Sequence, residues 1–252
     1  MINNNSFLKY LTLASLCVIM IACSKNSNSS DAAQGSGTTG LGGSMARFTI
    51  TNDHLYTVSD TKLSVFNIAT AADPVRQNTI DIGFGVETIF PLDNNLFIGM
   101  QTGMKIMDIS HPTDPVVLSN FQHIRSCDPV VANKNYAYVT LRTDNMCTRG
   151  TNELQILDIS NLKSPKLVKS YQMKKPAGLA VEGNDLFVCD DLIKWYDVSD
   201  PAVLVSKGTF PSNATDLIVY NGILMVIGPG GLSQYTYNTG ELKLLSKIPT
   251  SL

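Results

Sequence analysis

Met104-Lys105-Ile106-Met107-Asp108-Ile109-Ser110-His111-Pro112-Thr113-Asp114-Pro115-Val116 is the stretch on which the fold turns. It reads as a short apolar strand closed by an aspartate, a turn punctuated by Ser and Pro, and the opening of a second strand. The same order returns in Leu154-Gln155-Ile156-Leu157-Asp158-Ile159-Ser160 and in Ile193-Lys194-Trp195-Tyr196-Asp197-Val198-Ser199. Leu63-Ser64-Val65-Phe66-Asn67-Ile68 is an upstream copy with Asn in place of Asp, and Leu232-Ser233-Gln234-Tyr235-Thr236-Tyr237 is a degraded fifth. Asn67, Asp108, Asp158, Asp197 and Thr236 are separated by 41, 50, 39 and 39 residues, so the period is constant except for one insertion in the third unit. A period of about forty residues points to a propeller blade or another repeat array.

Each unit holds four short strand candidates. In the third they are Asp128 to Ala132, Tyr136 to Arg142, Leu154 to Ile159 and Lys166 to Tyr171, rich in β-branched and aromatic residues and separated by Gly, Asn, Asp and Pro. The third strand of each unit is apolar at nearly consecutive positions, which predicts burial on both faces, as between stacked blades. The expected fold is therefore all-β: a propeller of five four-stranded blades, each contiguous in sequence. The first inner strand is placed near Ala46 to Thr51 and the last outer strand near Glu241 to Ile248. Closure is then expected from packing of the first blade on the fifth rather than from an exchanged strand; an open five-unit arc, which leaves two apolar blade faces wet, is the structural alternative.

The recurring aspartates have a structural use. Asp108, Asp158 and Asp197 end a strand just before a Ser-rich turn, where a carboxylate accepts hydrogen bonds from the following amides. Pro115, Pro165 and Pro201 then punctuate the turn.

These copies resemble the LVIVD repeat of bacterial and archaeal cell-surface proteins, a repeat that adopts a β-propeller. The resemblance runs through Met-Lys-Ile-Met-Asp-Ile-Ser-His-Pro-Thr-Asp-Pro-Val and Leu-Gln-Ile-Leu-Asp-Ile-Ser-Asn-Leu-Lys-Ser-Pro-Lys-Leu-Val, and covers about residues 45–252. It implies the fold and is nearly silent on chemistry. The first copy departs at Asn67, and the fifth lacks both the aspartate and the proline.

The N-terminus suggests a compartment. Lys9 precedes the apolar run Leu11 to Ala22, too short to span a bilayer but suited to the core of a signal peptide. It ends in Met20-Ile21-Ala22-Cys23, which resembles a lipobox; residues 1–22 are expected to be removed and Cys23 to be fatty-acylated. An ordinary secretory signal is the alternative. Residues 23–44, dominated by Ser, Asn, Gly, Thr and Ala, have too little apolar surface to fold and read as a flexible tether, leaving 45–252 for the propeller. The expected location is the cell envelope, as an outer-membrane lipoprotein held by its lipid.

A net charge of −2, with charged residues at 16%, gives no basic surface for nucleic acid. His54, His111 and His123 lie in different units, and no pair has metal-ligand spacing, so neither metal nor other cofactor is expected. Gly228-Pro229-Gly230-Gly231 reads as a hairpin turn rather than a phosphate loop. Cys189, in Leu186-Phe187-Val188-Cys189, reads as a buried small hydrophobe.

The third unit alone carries an insertion, Thr143 to Asn152. Cys127 and Cys147 fall in loops that a four-stranded meander brings to one face, so a disulfide is expected in an oxidising compartment, with free thiols the alternative. A similar pair accompanies strands like Tyr136 to Arg142 in sequences resembling the LVIVD repeat. Near the predicted starts of inner strands lie Glu87, Asp128 and Asp216. With Arg47, Arg142 and Arg149 they form the candidate binding rim on that face. A solvated rim of ordinary charges is the competing reading. No residue set suggests catalysis. The function expected is a noncatalytic, monomeric, membrane-anchored binding or scaffolding propeller with an unidentified protein or small-molecule partner; the alternative is an exported hydrolase with a site in the central funnel.

Overall fold

The computed structural model describes residues 42–123, 129–143, 151–238 and 240–250. Twenty strands form five four-stranded antiparallel sheets, each taking its strands in sequence order. The five blades are contiguous, and the fold is the expected all-β propeller. Blade 1 comprises β1 (Phe48–Thr51), β2 (His54–Val58), β3 (Lys62–Asn67) and β4 (Val75–Asp81); blade 2 comprises β5 (Val86–Leu92), β6 (Asn95–Met100), β7 (Gly103–Asp108) and β8 (Val116–Gln122). Blade 3 holds β9 (Val130–Asn133), β10 (Tyr136–Leu141), β11 (Glu153–Asp158) and β12 (Lys166–Gln172). Blade 4 holds β13 (Leu179–Glu182), β14 (Asp185–Cys189), β15 (Ile193–Asp197) and β16 (Val205–Phe210). Blade 5 holds β17 (Asp216–Tyr220), β18 (Ile223–Gly228), β19 (Gly231–Thr236) and β20 (Lys243–Ile248). Among the described residues no helix is long and apolar enough to cross a membrane.

The repeated aspartates are turn formers. The amide of Ser110 donates to Asp108 at 2.7 Å, that of Ser160 to Asp158 at 2.8 Å and that of Ser199 to Asp197 at 2.8 Å. Asn67 does the same work for Ala69 at 2.9 Å, so the Asn of the first copy preserves the turn. The repeat also fixes a bulge. The third and fourth strands of every blade slip register at one equivalent point: Val65/Phe66, Ile106/Met107, Ile156/Leu157, Trp195/Tyr196 and Gln234/Tyr235. An extra residue on the outer strand increases the local twist that blades need to stack, and the degraded fifth copy keeps it.

Strand alternation divides the core between neighbouring interfaces. In β6, Leu96 and Ile98 pack with blade 1, whereas Phe97 packs with blade 3. In β10, Ala137 and Val139 pack with blade 2 and Tyr138 with blade 4. Phe187 and Cys189 of β14 meet blade 5, where Trp195 stacks on Phe187 with ring centroids 5.3 Å apart. These clusters fill the interfaces 1–2, 2–3, 3–4 and 4–5, and none of them takes in both blades 1 and 5.

The third strands only partly meet the expectation of burial on both faces. It holds for β7 and β11, but β3 and, within blade 4, β15 alternate between buried and partly exposed residues, and β19 is half-buried throughout. Among the described residues, the buried clusters give blades 1 and 5 a packed neighbour on one side only. Phe48 on β1 and Tyr220 on β17 are left 60% and 50% exposed.

A short segment ahead of β1 spans this seam. Ser44, fully buried, donates its hydroxyl to Asp216 at 2.9 Å and accepts the Leu179 amide at 2.8 Å. The Met45 amide reaches Asp216 at 3.3 Å, the Ala46 carbonyl accepts from Ile89 at 2.9 Å and the Arg47 carbonyl from Val58 at 2.9 Å. Four consecutive residues, Ser44 to Arg47, thus touch blades 5, 4, 2 and 1. The buried Gly43 packs so closely on Asp216 and Ile218 that a Cβ there would overlap the Asp216 carboxylate. Gly42 to Ser44, assigned to the tether on composition, form part of this strap. β1 begins at Phe48, two residues later than expected, because Ala46 and Arg47 serve the strap.

Candidate functional site

The upper face is the end at which the innermost strands begin. A cavity of about 440 Å³ opens there, within the range of about 300–1,000 Å³ typical of small-molecule sites. Blades 1 to 4 all line it. Arg47 and Asp60 come from blade 1, Glu87 and Gln101 from blade 2, Arg142 from blade 3, and Pro176 with Ala177 from the loop before β13. Three of the sequence-predicted rim residues, Arg47, Glu87 and Arg142, are therefore brought to one cavity. Asp216 is not among its lining residues; it sits beneath the strap. Burial pushes its carboxyl above the usual carboxylate range, and the hydrogen bonds from Ser44, Leu217 and Met45 only partly offset that. Asp128, Arg149, Cys127, Cys147 and Cys23 lie outside the described residues.

Local chemistry holds the cavity wall in place. The Gly83-Phe84-Gly85 loop leaves β4 with both glycines at positive φ, 91° and 82°, a conformation that side-chain-bearing residues avoid. The Gly83 amide donates to Asp81 at 3.0 Å, the Asp60 carbonyl accepts from Gly85 at 2.9 Å, and the Gln101 amide donates to the Gly85 carbonyl at 2.8 Å. Lys105 reaches the Ile82 carbonyl at 2.5 Å, and burial lowers its ammonium below the ordinary lysine value despite the nearby Asp81 charge. Between these anchors Phe84 is 74% exposed at the cavity edge.

The opposite wall is equally fixed. The Thr140 hydroxyl donates to the Ala177 carbonyl at 2.6 Å. Asp190, whose side chain is fully buried, accepts from Lys194 at 2.6 Å, from the Lys174 amide at 3.1 Å and from the Lys175 amide. Burial alone would raise the Asp190 carboxyl, but these donors outweigh it and hold it below the usual carboxylate range. They set the loop that carries Pro176 and Ala177.

Electrostatically the cavity is balanced. Arg47 pairs with Asp60 at 3.0 Å, with both side chains well exposed, 47% and 82%; such a pair is worth little to folding and remains open to exchange. Glu87 and Arg142 contribute one further charge of each sign. No group of His, Cys, Asp and Glu among the described residues is arranged to hold a metal ion. Sequence reading missed Phe84, Asp60 and Gln101. The available signal was an aromatic flanked by glycines, Gly83-Phe84-Gly85, outside any repeat motif.

Five antiparallel blades with a cavity at one end define a small β-propeller. The chain carries LVIVD repeats: the model of that repeat matches residues 92–122 and 125–173, within the second and third units. A search of curated proteins found no sequence match. Among solved structures, the fold is similar to a protein from Lactobacillus plantarum, with 12% identity, a TM-score of 0.61, and coverage of 80% of this chain and 74% of that one. It is also similar to the periplasmic gluconolactonase of Pseudomonas aeruginosa, with 11% identity, a TM-score of 0.59 and coverage of 78% and 67%. A computationally designed protein, Ika8, gives 15% identity and a TM-score of 0.59, this chain spanning 61% of its length. At these identities the likeness is one of fold.

Proposed function

We propose that this chain is a noncatalytic binding or scaffolding propeller, tethered to the bacterial cell envelope through acylated Cys23, and that the upper cavity is where its partner docks. The observation that carries the reading is the convergence of four blades on one balanced cavity, with Phe84 displayed between two glycines that are each held by hydrogen bonds. An exposed aromatic held rigidly beside polar groups suits recognition, because little conformational freedom is lost on binding. The anchor rests on Met20-Ile21-Ala22-Cys23. Mass spectrometry of the mature protein tests it: diacylglycerol on Cys23 is expected, and an unmodified N-terminus at another residue overturns it. Crosslinking in intact membranes tests the binding role. Partners captured by the native chain should be lost with Arg142→Ala or Phe84→Ala, and capture unchanged in both variants removes the cavity from the function.

The carboxylates of Asp60 and Glu87 in the same cavity favour a second reading, an exported hydrolase. Turnover of a sugar lactone or ester that is abolished by Glu87→Gln would establish it.

A further inference from the structure

We infer that the upper cavity takes a neutral carbohydrate, at the scale of a mono- or disaccharide; this rests on the reading of the cavity as a binding site. Three observations point to that class. The charged lining sums to zero, two arginines against Asp60 and Glu87, and Arg47 is already neutralised by Asp60 at 3.0 Å. A fully charged ligand would therefore meet no excess field of opposite sign. The polar lining groups are planar and multivalent. A carboxylate offers about four acceptor positions and a guanidinium five donors, and the Gln101 amide adds both kinds. Adjacent hydroxyls on a sugar ring donate and accept at once, so one diol can satisfy a carboxylate and a guanidinium together. Groups with several sites keep capacity for a ligand while holding partners within the protein.

The third observation is the aromatic. Phe84 is 74% exposed on a loop fixed by two positive-φ glycines and by amide bonds to Asp60 and Gln101. An exposed phenyl ring is apolar surface, and its π-face attracts weakly positive C–H edges. A pyranose presents such a C–H face on one side and hydroxyls at its rim. Met45, Pro129 and Pro176 supply further apolar wall, so the cavity has the same two-sided character as the ring.

Isothermal titration of the intact chain in detergent tests the assignment. The probes are glucose, galactose, N-acetylglucosamine, maltose and cellobiose, with glucuronate and an alanine dipeptide as charged comparators. At least one neutral saccharide should bind, and binding should weaken by about tenfold or more in Phe84→Ala and in Glu87→Gln while Phe84→Trp retains it. Thermal unfolding midpoints check that each variant is folded. Binding of glucuronate or the dipeptide with no response to neutral sugars overturns the ligand class and leaves the binding reading standing. No response to any probe overturns the carbohydrate assignment, and if membrane crosslinking is also insensitive to Phe84→Ala, the binding reading falls with it.

Discussion

Replacing Ser44 by Ala should unfasten the strap that spans the seam. The Ser44 hydroxyl is fully buried and makes two bonds, donating to the Asp216 carboxylate at 2.9 Å and accepting the Leu179 amide at 2.8 Å. A hydrogen bond to a charged group contributes about 1.5–3 kcal/mol, and stranding a buried amide costs about 1–3 kcal/mol. Asp216 keeps the Leu217 and Met45 amides as donors, so the two costs overlap, and the expected loss is about 3 kcal/mol. For a domain of this size that lowers the melting midpoint by roughly 6–12 °C. Urea unfolding followed by the fluorescence of Trp195, the single tryptophan and 1% exposed between blades 4 and 5, measures it directly. Asp216 adds a pH signature. Its folded carboxyl holds its proton to higher pH than the unfolded chain does, so its contribution is most favourable below the ordinary carboxylate pKa and is lost as pH rises through the raised value. In Asp216→Asn this loss should vanish. A Ser44→Ala protein within about 0.5 kcal/mol of the native one, the scale of an ordinary surface change, would refute the strap.

Gly178→Ala should destabilise by about 1–3 kcal/mol, because a Cβ there would lie 2.6 Å from the Asp216 Cα and 2.8 Å from the Thr215 carbonyl; calorimetry checks it. Glu182 of blade 4 accepts the Asn221 amide at 2.9 Å, the Gly222 amide at 3.0 Å and the Tyr237 hydroxyl, all from blade 5. Glu182→Ala should cost about 1–3 kcal/mol, measured as a shift in urea midpoint. Cys189 is 1% exposed, and burial pushes its thiol well above the ordinary cysteine value. Peptide mapping after iodoacetamide should find it unmodified in the native protein and modified in urea. The carboxyls of Asp108 and Asp158 are held low by the hydroxyls and amides of Ser110 and Ser160, that of Asp197 by the amide and hydroxyl of Ser199. Their stabilisation is present above the ordinary carboxylate pKa and fades as pH falls toward the depressed values. The triple Asn variant should stay folded at neutral pH, as Asn67 does its work uncharged, and should show a flatter acid limb in pH-dependent urea midpoints.

The blades were legible because each copies the same local chemistry. β10, β11 and β12 lie within one residue of their expected bounds at the ends described, and Asp108, Asp158 and Asp197 close the turns assigned to them. The seam was not legible. Apolar residues in β17 and β18 read alike whether they face a neighbour or the seam, so Ile218 and Met225 could not be told from Leu217 and Leu224. The strap was hidden for a related reason. Gly42, Gly43 and Ser44 have the composition of a flexible linker, and their value lies in being small enough to pass beside Asp216. At the cavity, Arg47, Glu87 and Arg142 could be anticipated from their position near inner-strand starts. Phe84 could not, since its role depends on the φ of its two neighbours.

The strap also imposes an order of assembly. Ser44 lies 135 residues from Leu179 and 172 from Asp216 in sequence. Contacts of such separation form slowly, after the intervening loop has been closed by other means. The earliest part of the propeller to emerge during synthesis therefore cannot seat until nearly the last blade has been made. Under the proposed export, a chain threaded from its N-terminus stays unlatched throughout its passage, and the final turn of the lock falls on the far side.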